Sequence, residues 1–288
     1  MRFASYRFAG AQGLAAWNGD GWYGLPHDAA NAPPALERLL AVPDAADAAL
    51  ADAHRVLCDH GRRLDEAAIE FLPPLLRPPK IICVGLNYAD HTAESPYAQP
   101  TYPTLFPRFA SSLVGHGQPI IRPRCSEQLD YEGELVAVIG RGGRHIPVQD
   151  AGRHIAGWSI FNEASVRDYQ FKSPQWTVGK NFDGTGAFGP SFVTADELPE
   201  GGKGLRLETR LNGTTVQSAS TTDMIFDVAT QIAVISEAIT LEPGDVIVTG
   251  TPAGVGFARK PQLWMKPGDV VEVEIEGLGI LSNPVADE

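Results

Sequence analysis

Residues 130–140, DYEGELVAVIG, set Asp130, Glu132 and Glu134 two apart along a run that otherwise reads as a β-strand. Side chains alternate on a strand, so these carboxylates share a row with Val136 and Val138, while Tyr131, Leu135, Ala137 and Ile139 line the other row. Both rows end apolar. That pattern belongs to a strand covered on both faces, and it puts the carboxylates at the mouth of a buried region. Like charges crowded there either retain their protons or gather a cation. In GDVVEVEIEGLG, residues 268–279, Glu272, Glu274 and Glu276 instead alternate with Val271, Val273 and Ile275 throughout, and that run reads as the wet face of an antiparallel strand. Glu163, in GWSIFNEASVRDYQ, stands where a strand ends and a short helix begins, with Ser165 and Asp168 in the spacing of a capping box. Glu132, Glu134 and Glu163 together would form an all-oxygen site, suited to Mg²⁺ or Mn²⁺ and not to zinc.

Three further positions carry potential chemistry. In NYADHTAES, residues 87–95, His91 and Glu94 face each other if the segment is helical, and a carboxylate beside an imidazole makes a general base for water. Lys180 lies in the glycine-rich stretch WTVGKNFDGTGAFGP. VTGTPAGVG, residues 248–256, is neither a P-loop nor a dinucleotide fingerprint, but Thr251 and the backbone N–H groups after a strand offer donors for a carboxylate.

The elements that must position these residues fall into two regions. Residues 1 to about 25 read as short strands around the NGDG turn at 18–21, and residues 34–70 as amphipathic helix. FLPPLLRPPK, residues 71–80, cannot continue a helix, so a boundary is expected near residue 76, between a small N-terminal α+β domain (1–75) and a larger catalytic one (76–288). Beyond it short strands recur between Gly and Pro turns: KIICVGL, ELVAVIG, AGWSIFN, LRLETRLNG, DVIVTG and DVVEVEIEG. That layout is a β-rich mixed α+β fold and not regular βαβ alternation. LEPGDVIV and MKPGDVVEV repeat a Pro-Gly-Asp-Val signal suited to a type II turn feeding a strand. One helix is expected over 223–239, with Asp223 as N-cap.

With 288 residues, 43% of them hydrophobic, the chain can bury a sizeable core. A formal net charge of −12 argues against a nucleic-acid or anionic-membrane partner, and an anionic substrate would need a local positive site. Cys58, Cys83 and Cys125 are too widely spaced for a CxxC pair and read as reduced thiols. MRFASYRFAGAQG lacks the apolar core of a signal peptide and no run is long enough to span a bilayer, so a soluble, cytoplasmic protein is expected.

Taken in order, GLNYADHxxE, DYExEL, NExSxRDxQ, GKxFD and TGTPAGVG resemble the fumarylacetoacetate hydrolase family, from about Lys80 to Pro284. The resemblance implies a β-roll-like mixed fold, a divalent metal (Mg²⁺ or Mn²⁺), a homodimer, a small anionic 2-oxo acid substrate and a place in aromatic catabolism. Carried over by position, Glu132, Glu134 and Glu163 resemble the metal ligands, His91 and Glu94 a water-activating dyad on a mobile lid (88–97), and Lys180 the oxyanion-stabilising cation. Gln170 and Thr251 match positions that contact substrate oxygens, and Arg108, in FPRFASS, stands near where many relatives carry Lys and is read as a third substrate-binding residue. Many members have Asp where this chain has Glu163, which lengthens the reach to a metal by one methylene. The implied reaction is hydrolysis of a carbon–carbon bond in an acylpyruvate, releasing pyruvate. The alternatives are oxaloacetate decarboxylation or hydroxymuconate-type isomerisation at the same site, and, in another class, a non-catalytic binding protein.

Overall fold

The computed structural model describes residues 1–42, 45–94 and 98–288. The expected lid, 88–97, therefore lies in part outside the described residues.

The strand Gly133–Ile139 is buried along its whole length, as its two apolar rows require. Leu135, Ala137 and Ile139 face a core shared with Val271 and Val273, while Val136 and Val138 face a second core shared with Leu50, Leu57 and Phe188. Two cores on one strand mean three layers: a small sheet, a large sheet and a pair of helices. Among the described residues the large sheet runs Arg62–Arg63, Trp22–Pro26, Ala11–Trp17, Arg2–Phe8, Gly186–Thr194, Ile155–Glu163, Gly133–Ile139, Val246–Val248, Ile81–Gly85 and Thr104–Arg108. The small sheet runs Thr214–Ser220, Arg206–Leu211, Val270–Ile275, Gly279–Asp287 and Ile120–Arg122. Most neighbours are antiparallel, but Val246–Val248 pairs Ile81–Gly85 in parallel, as Gly279–Asp287 pairs Ile120–Arg122. The expected β-rich mixed fold is what the chain adopts.

The two Pro-Gly-Asp turns are built alike. Gly244 and Gly268 take φ of +87° and +91°, the backbone that a type II turn demands of its third residue. In each, the aspartate carboxylate accepts from the first residue's N–H, Glu242 N to Asp245 Oδ2 and Lys266 N to Asp269 Oδ2, both at 2.7 Å.

Several local expectations are corrected. Helix does not continue from 34 to 70: helices Leu36–Leu40 and Ala46–His60 form, and after Gly61 the chain pairs Arg62–Arg63 with Tyr23 and Gly24. The later helix is Val228–Ala238 and is capped by Asp227, which accepts from Thr230 N; Asp223 instead closes a capping box with Ser220. Gly186–Thr194 is a central strand that a sequence containing Gly186, Gly189 and Pro190 conceals, and a register shift at Trp158/Ile160 accommodates the proline, which has no N–H to pair. Arg2 and Phe3 pair with Val193 and Phe192 in the large sheet, and Leu36, Leu50 and Leu57 lie in the second core.

Candidate metal centre

Glu132 and Glu134 flank the start of one central strand, and Glu163 ends its neighbour, with Glu163 N donating to Glu132 O at 2.8 Å. This register brings one carboxylate oxygen from each within 4.8 Å of the others, and all three residues are buried. Asp130 departs from the row. The chain breaks pairing after Leu129–Asp130, and Asp130 turns to Arg167 (Nε to Oδ2, 2.8 Å) and to the amides of Gly256 and Phe257.

Three buried cations share the region. Lys180 Nζ lies 2.6 Å from Glu132 Oε2 and 3.1 Å from Glu163 Oε2, and Arg167 Nη2 lies 2.6 Å from Glu132 Oε1. Burial alone would raise the Glu132 carboxyl, but the Arg167 and Lys180 charges outweigh it and hold it at about 2. Among the described residues no cation pairs with Glu134. Burial, then Glu163 and Glu132, push its carboxyl well above the usual range, and its recorded hydrogen bond is from Gly250 N at 2.5 Å. Burial would lower the Lys180 ammonium, yet Glu132 and Glu163 raise it. Were all four carboxyls ionised, Asp130, Glu132, Glu134 and Glu163 would outnumber Arg108, Arg167 and Lys180 by one charge, and the repulsion falls on Glu134. Glu163 Oε1, moreover, has no hydrogen-bond partner. Three converging carboxylates, with a Glu163 oxygen left free of hydrogen bonds, are an all-oxygen donor set that fits a hard divalent cation.

His91 and Glu94 lie on the short helix Ala89–Glu94, three apart, with Nδ1 3.0 Å from Glu94 Oε1. A carboxylate only accepts, so Nδ1 carries the proton and Nε2 is the basic nitrogen. His91 lines the same pocket as the three carboxylates, Lys180, Gln170 and Thr251, and Phe171, Trp176 and Phe257 form its apolar wall.

Arg108 does not line the pocket. It stands behind Glu163, its Nη1 3.6 Å from Oε1, and is held by Ser112 Oγ, Ala164 O and Thr185 Oγ1. The Thr251 hydroxyl is engaged twice, donating to Gly133 O and accepting from Gln217 Nε2. Gln170 Oε1 accepts from Arg167 Nη1 at 2.8 Å. The capping box expected of Ser165 and Asp168 is absent: Ser165 donates to Glu163 O, and Asp168 accepts from Ser126. Arg167, which the sequence reading passed over, ties Asp130, Glu132 and Gln170 together. Its signal was an arginine four residues past a buried strand end that carries an acid.

The fumarylacetoacetate hydrolase C-terminal domain model matches residues 80–286, and the chain belongs to that family. It is 40% identical over 275 residues to the human mitochondrial oxaloacetate tautomerase FAHD2A, covering 95% of this chain and 86% of that protein. Among solved structures, the fumarylacetoacetate hydrolase of Exiguobacterium antarcticum superposes with a TM-score of 0.83 at 36% identity, each chain covered in full. Maleylpyruvate hydrolase from Sphingobium, solved with manganese(II) and pyruvate, superposes with a TM-score of 0.80 at 25% identity, covering 100% of this chain and 99% of that one. Hydrolases and tautomerases thus occur among its relatives.

Proposed function

We infer that this protein is an enzyme that moves a proton on a small 2-oxo acid, with keto–enol tautomerisation of oxaloacetate as its leading reaction. The observation that carries the reading is His91, its Nδ1 fixed by Glu94 and its ring in the wall of a pocket floored by three carboxylates. The name and 86% coverage of the human relative support oxaloacetate as substrate. Glu132, Glu134 and Glu163 would hold Mg²⁺ or Mn²⁺. When bound, such an ion supplies Lewis acidity toward the 2-oxo and carboxylate oxygens. In tautomerisation His91 Nε2 takes the proton from C3 and gives it up to the C2 oxygen, so the ring ends as it began and no bond between heavy atoms breaks. Lys180 supplies positive charge next to that oxygen, and Gln170 and Thr251 orient the substrate, with Arg108 acting from behind Glu163.

A second reading, hydrolysis of an acylpyruvate to release pyruvate, draws support from the maleylpyruvate hydrolase likeness. It asks His91 to take its proton from water instead. Both are read by following the enol of oxaloacetate in the ultraviolet, and pyruvate release from a panel of acylpyruvates, with Mg²⁺, with Mn²⁺ and with chelator. His91→Ala should cut the metal-dependent rate by about 10² to 10⁴, the range for a general base, while leaving metal affinity intact. A His91→Ala protein with parental kcat and metal bound would refute the dyad; no turnover across the panel would favour a binding protein. The same reading includes a homodimer, and sedimentation at the mass of one chain would overturn that part.

A further inference from the structure

Four consecutive backbone amides, those of Gly254, Val255, Gly256 and Phe257, are divided between two carboxylates. Gly254 N donates to both oxygens of Glu94 at 3.0 Å and Val255 N to Oε1 at 3.4 Å. Gly256 N and Phe257 N donate to the two oxygens of Asp130 at 2.7 and 3.1 Å. One half of this cradle thus holds the partner of His91, and the other half holds the partner of Arg167, which in turn pairs with Glu132. The cradle is itself gripped from behind. Arg259 Nε donates to Gly254 O at 3.0 Å and its Nη2 to Val216 O at 2.5 Å, and the Tyr131 hydroxyl adds a second bond to Gly254 O at 3.0 Å. A trans peptide points its C=O and the following N–H in opposite directions. Pinning Gly254 O on the Arg259 side therefore aims Val255 N–H at Glu94, and a cation on the carbonyl polarises that N–H into a stronger donor. Gly254 itself, at φ +104°, has no room for a side chain, since a Cβ would land on Val216 O.

We propose that Arg259 is a positioning residue for the His91–Glu94 dyad, acting through the Gly254–Val255 peptide from a place where it touches neither the carboxylate cluster nor the pocket. The proposal rests on the reading of His91 as the base. Without Arg259 the peptide is free to turn, Glu94 loses its seat, and the short helix carrying His91 undocks.

The test pairs a kinetic and a structural measurement on full-length Arg259→Met. Hydrogen exchange at residues 88–94 should quicken while the melting temperature and the Mn²⁺ affinity stay within error, and kcat should fall about ten- to a hundredfold with little change in KM. On a Glu94→Gln background Arg259→Met should cost less than about twofold, because both changes act on one link. Should Arg259→Met fail to fold, Arg259→Gln, which keeps one amide donor, replaces it with the same expected directions and smaller size. Parental exchange at 88–94, or losses that multiply with those of Glu94→Gln, would overturn the proposal. If the parent turns over no 2-oxo acid, the proposed function fails, and the exchange measurement alone decides the role of Arg259.

Discussion

Glu132 and Glu134 are separated by one glycine, yet their surroundings differ so much that the same substitution should act on them in opposite ways. Glu132 neutralises Arg167 and Lys180, and Gln at that position would leave two buried cations short of a partner. Breaking a buried pair in this way costs about 3–5 kcal/mol. Glu134 has a carboxyl that the fold holds protonated more readily than water does, so its ionised form opposes folding above its ordinary range. Calorimetry with Mn²⁺ should accordingly show a large loss of affinity in both Glu132→Gln and Glu134→Gln. Thermal melts of the ion-free proteins should separate them, with Glu132→Gln falling and Glu134→Gln unchanged or higher. Equal destabilisation by the two would contradict the charge assignment. Glu132 and Glu134 were legible because an acid on a doubly apolar strand is conspicuous, Glu163 because it stands at a strand end, and the His91–Glu94 pair because three-residue spacing on a helix makes the two side chains neighbours. Asp130 was placed on the same strand row as Glu132 and Glu134; its turn toward Arg167 depends on a break in pairing after residue 130 that side-chain alternation does not reveal.

The strand Gly133–Ile139 was legible because both of its rows are apolar, and the paired Pro-Gly-Asp turns because φ above zero selects glycine at one position. Gly186–Thr194 was not, since a proline and two glycines mimic a loop, and only its neighbours on both sides make it a strand. The amide cradle at 254–257 was legible in part, since the glycines of VTGTPAGVG mark backbone donors for a carboxylate, but nothing in them says which carboxylates they hold. Gly133 shows how tightly the elements meet: a Cβ there would collide with Thr209 Oγ1 and lie 3.0 Å from Val273 Cγ1, both on the small sheet. That glycine lets the second sheet close directly beneath the strand segment bearing Glu132 and Glu134. Gly133→Ala should overpack this contact by roughly 1–3 kcal/mol, seen as a lower denaturant midpoint, and should weaken Mn²⁺ binding by moving the two carboxylates it separates. An unchanged midpoint together with parental affinity would mean that the sheets part without disturbing the site.

The carboxylates sit on strands in the middle of the large sheet, not on a loop that opens independently. Val136 and Val138, in the strand that follows Glu134, pack into the same core as Leu36, Leu50 and Leu57 of the N-terminal helices. The proline-rich stretch at 71–80, where a division is expected, stops a helix without saying which sheet the next strand joins. Since the centre and the core share strands, unfolding must dismantle the centre, and a cation that binds only the folded chain stabilises the whole. At a concentration one hundred times its dissociation constant that stabilisation is about 2.7 kcal/mol, which for a chain of this length raises the melting temperature by several degrees. A formal net charge of −12 will also gather divalent ions loosely over the surface, so the parent alone is not a sufficient test. Glu134, 1% exposed, contributes nothing to that surface, and Glu134→Gln removes a ligand without breaking an ion pair. Saturating Mn²⁺ should therefore raise the melting temperature of the parent by about 5 °C, chelator should reverse the shift, and Glu134→Gln should keep only the small increment due to surface screening. If the variant and the parent shift equally, the ion acts at the surface and the three buried carboxylates are not its site.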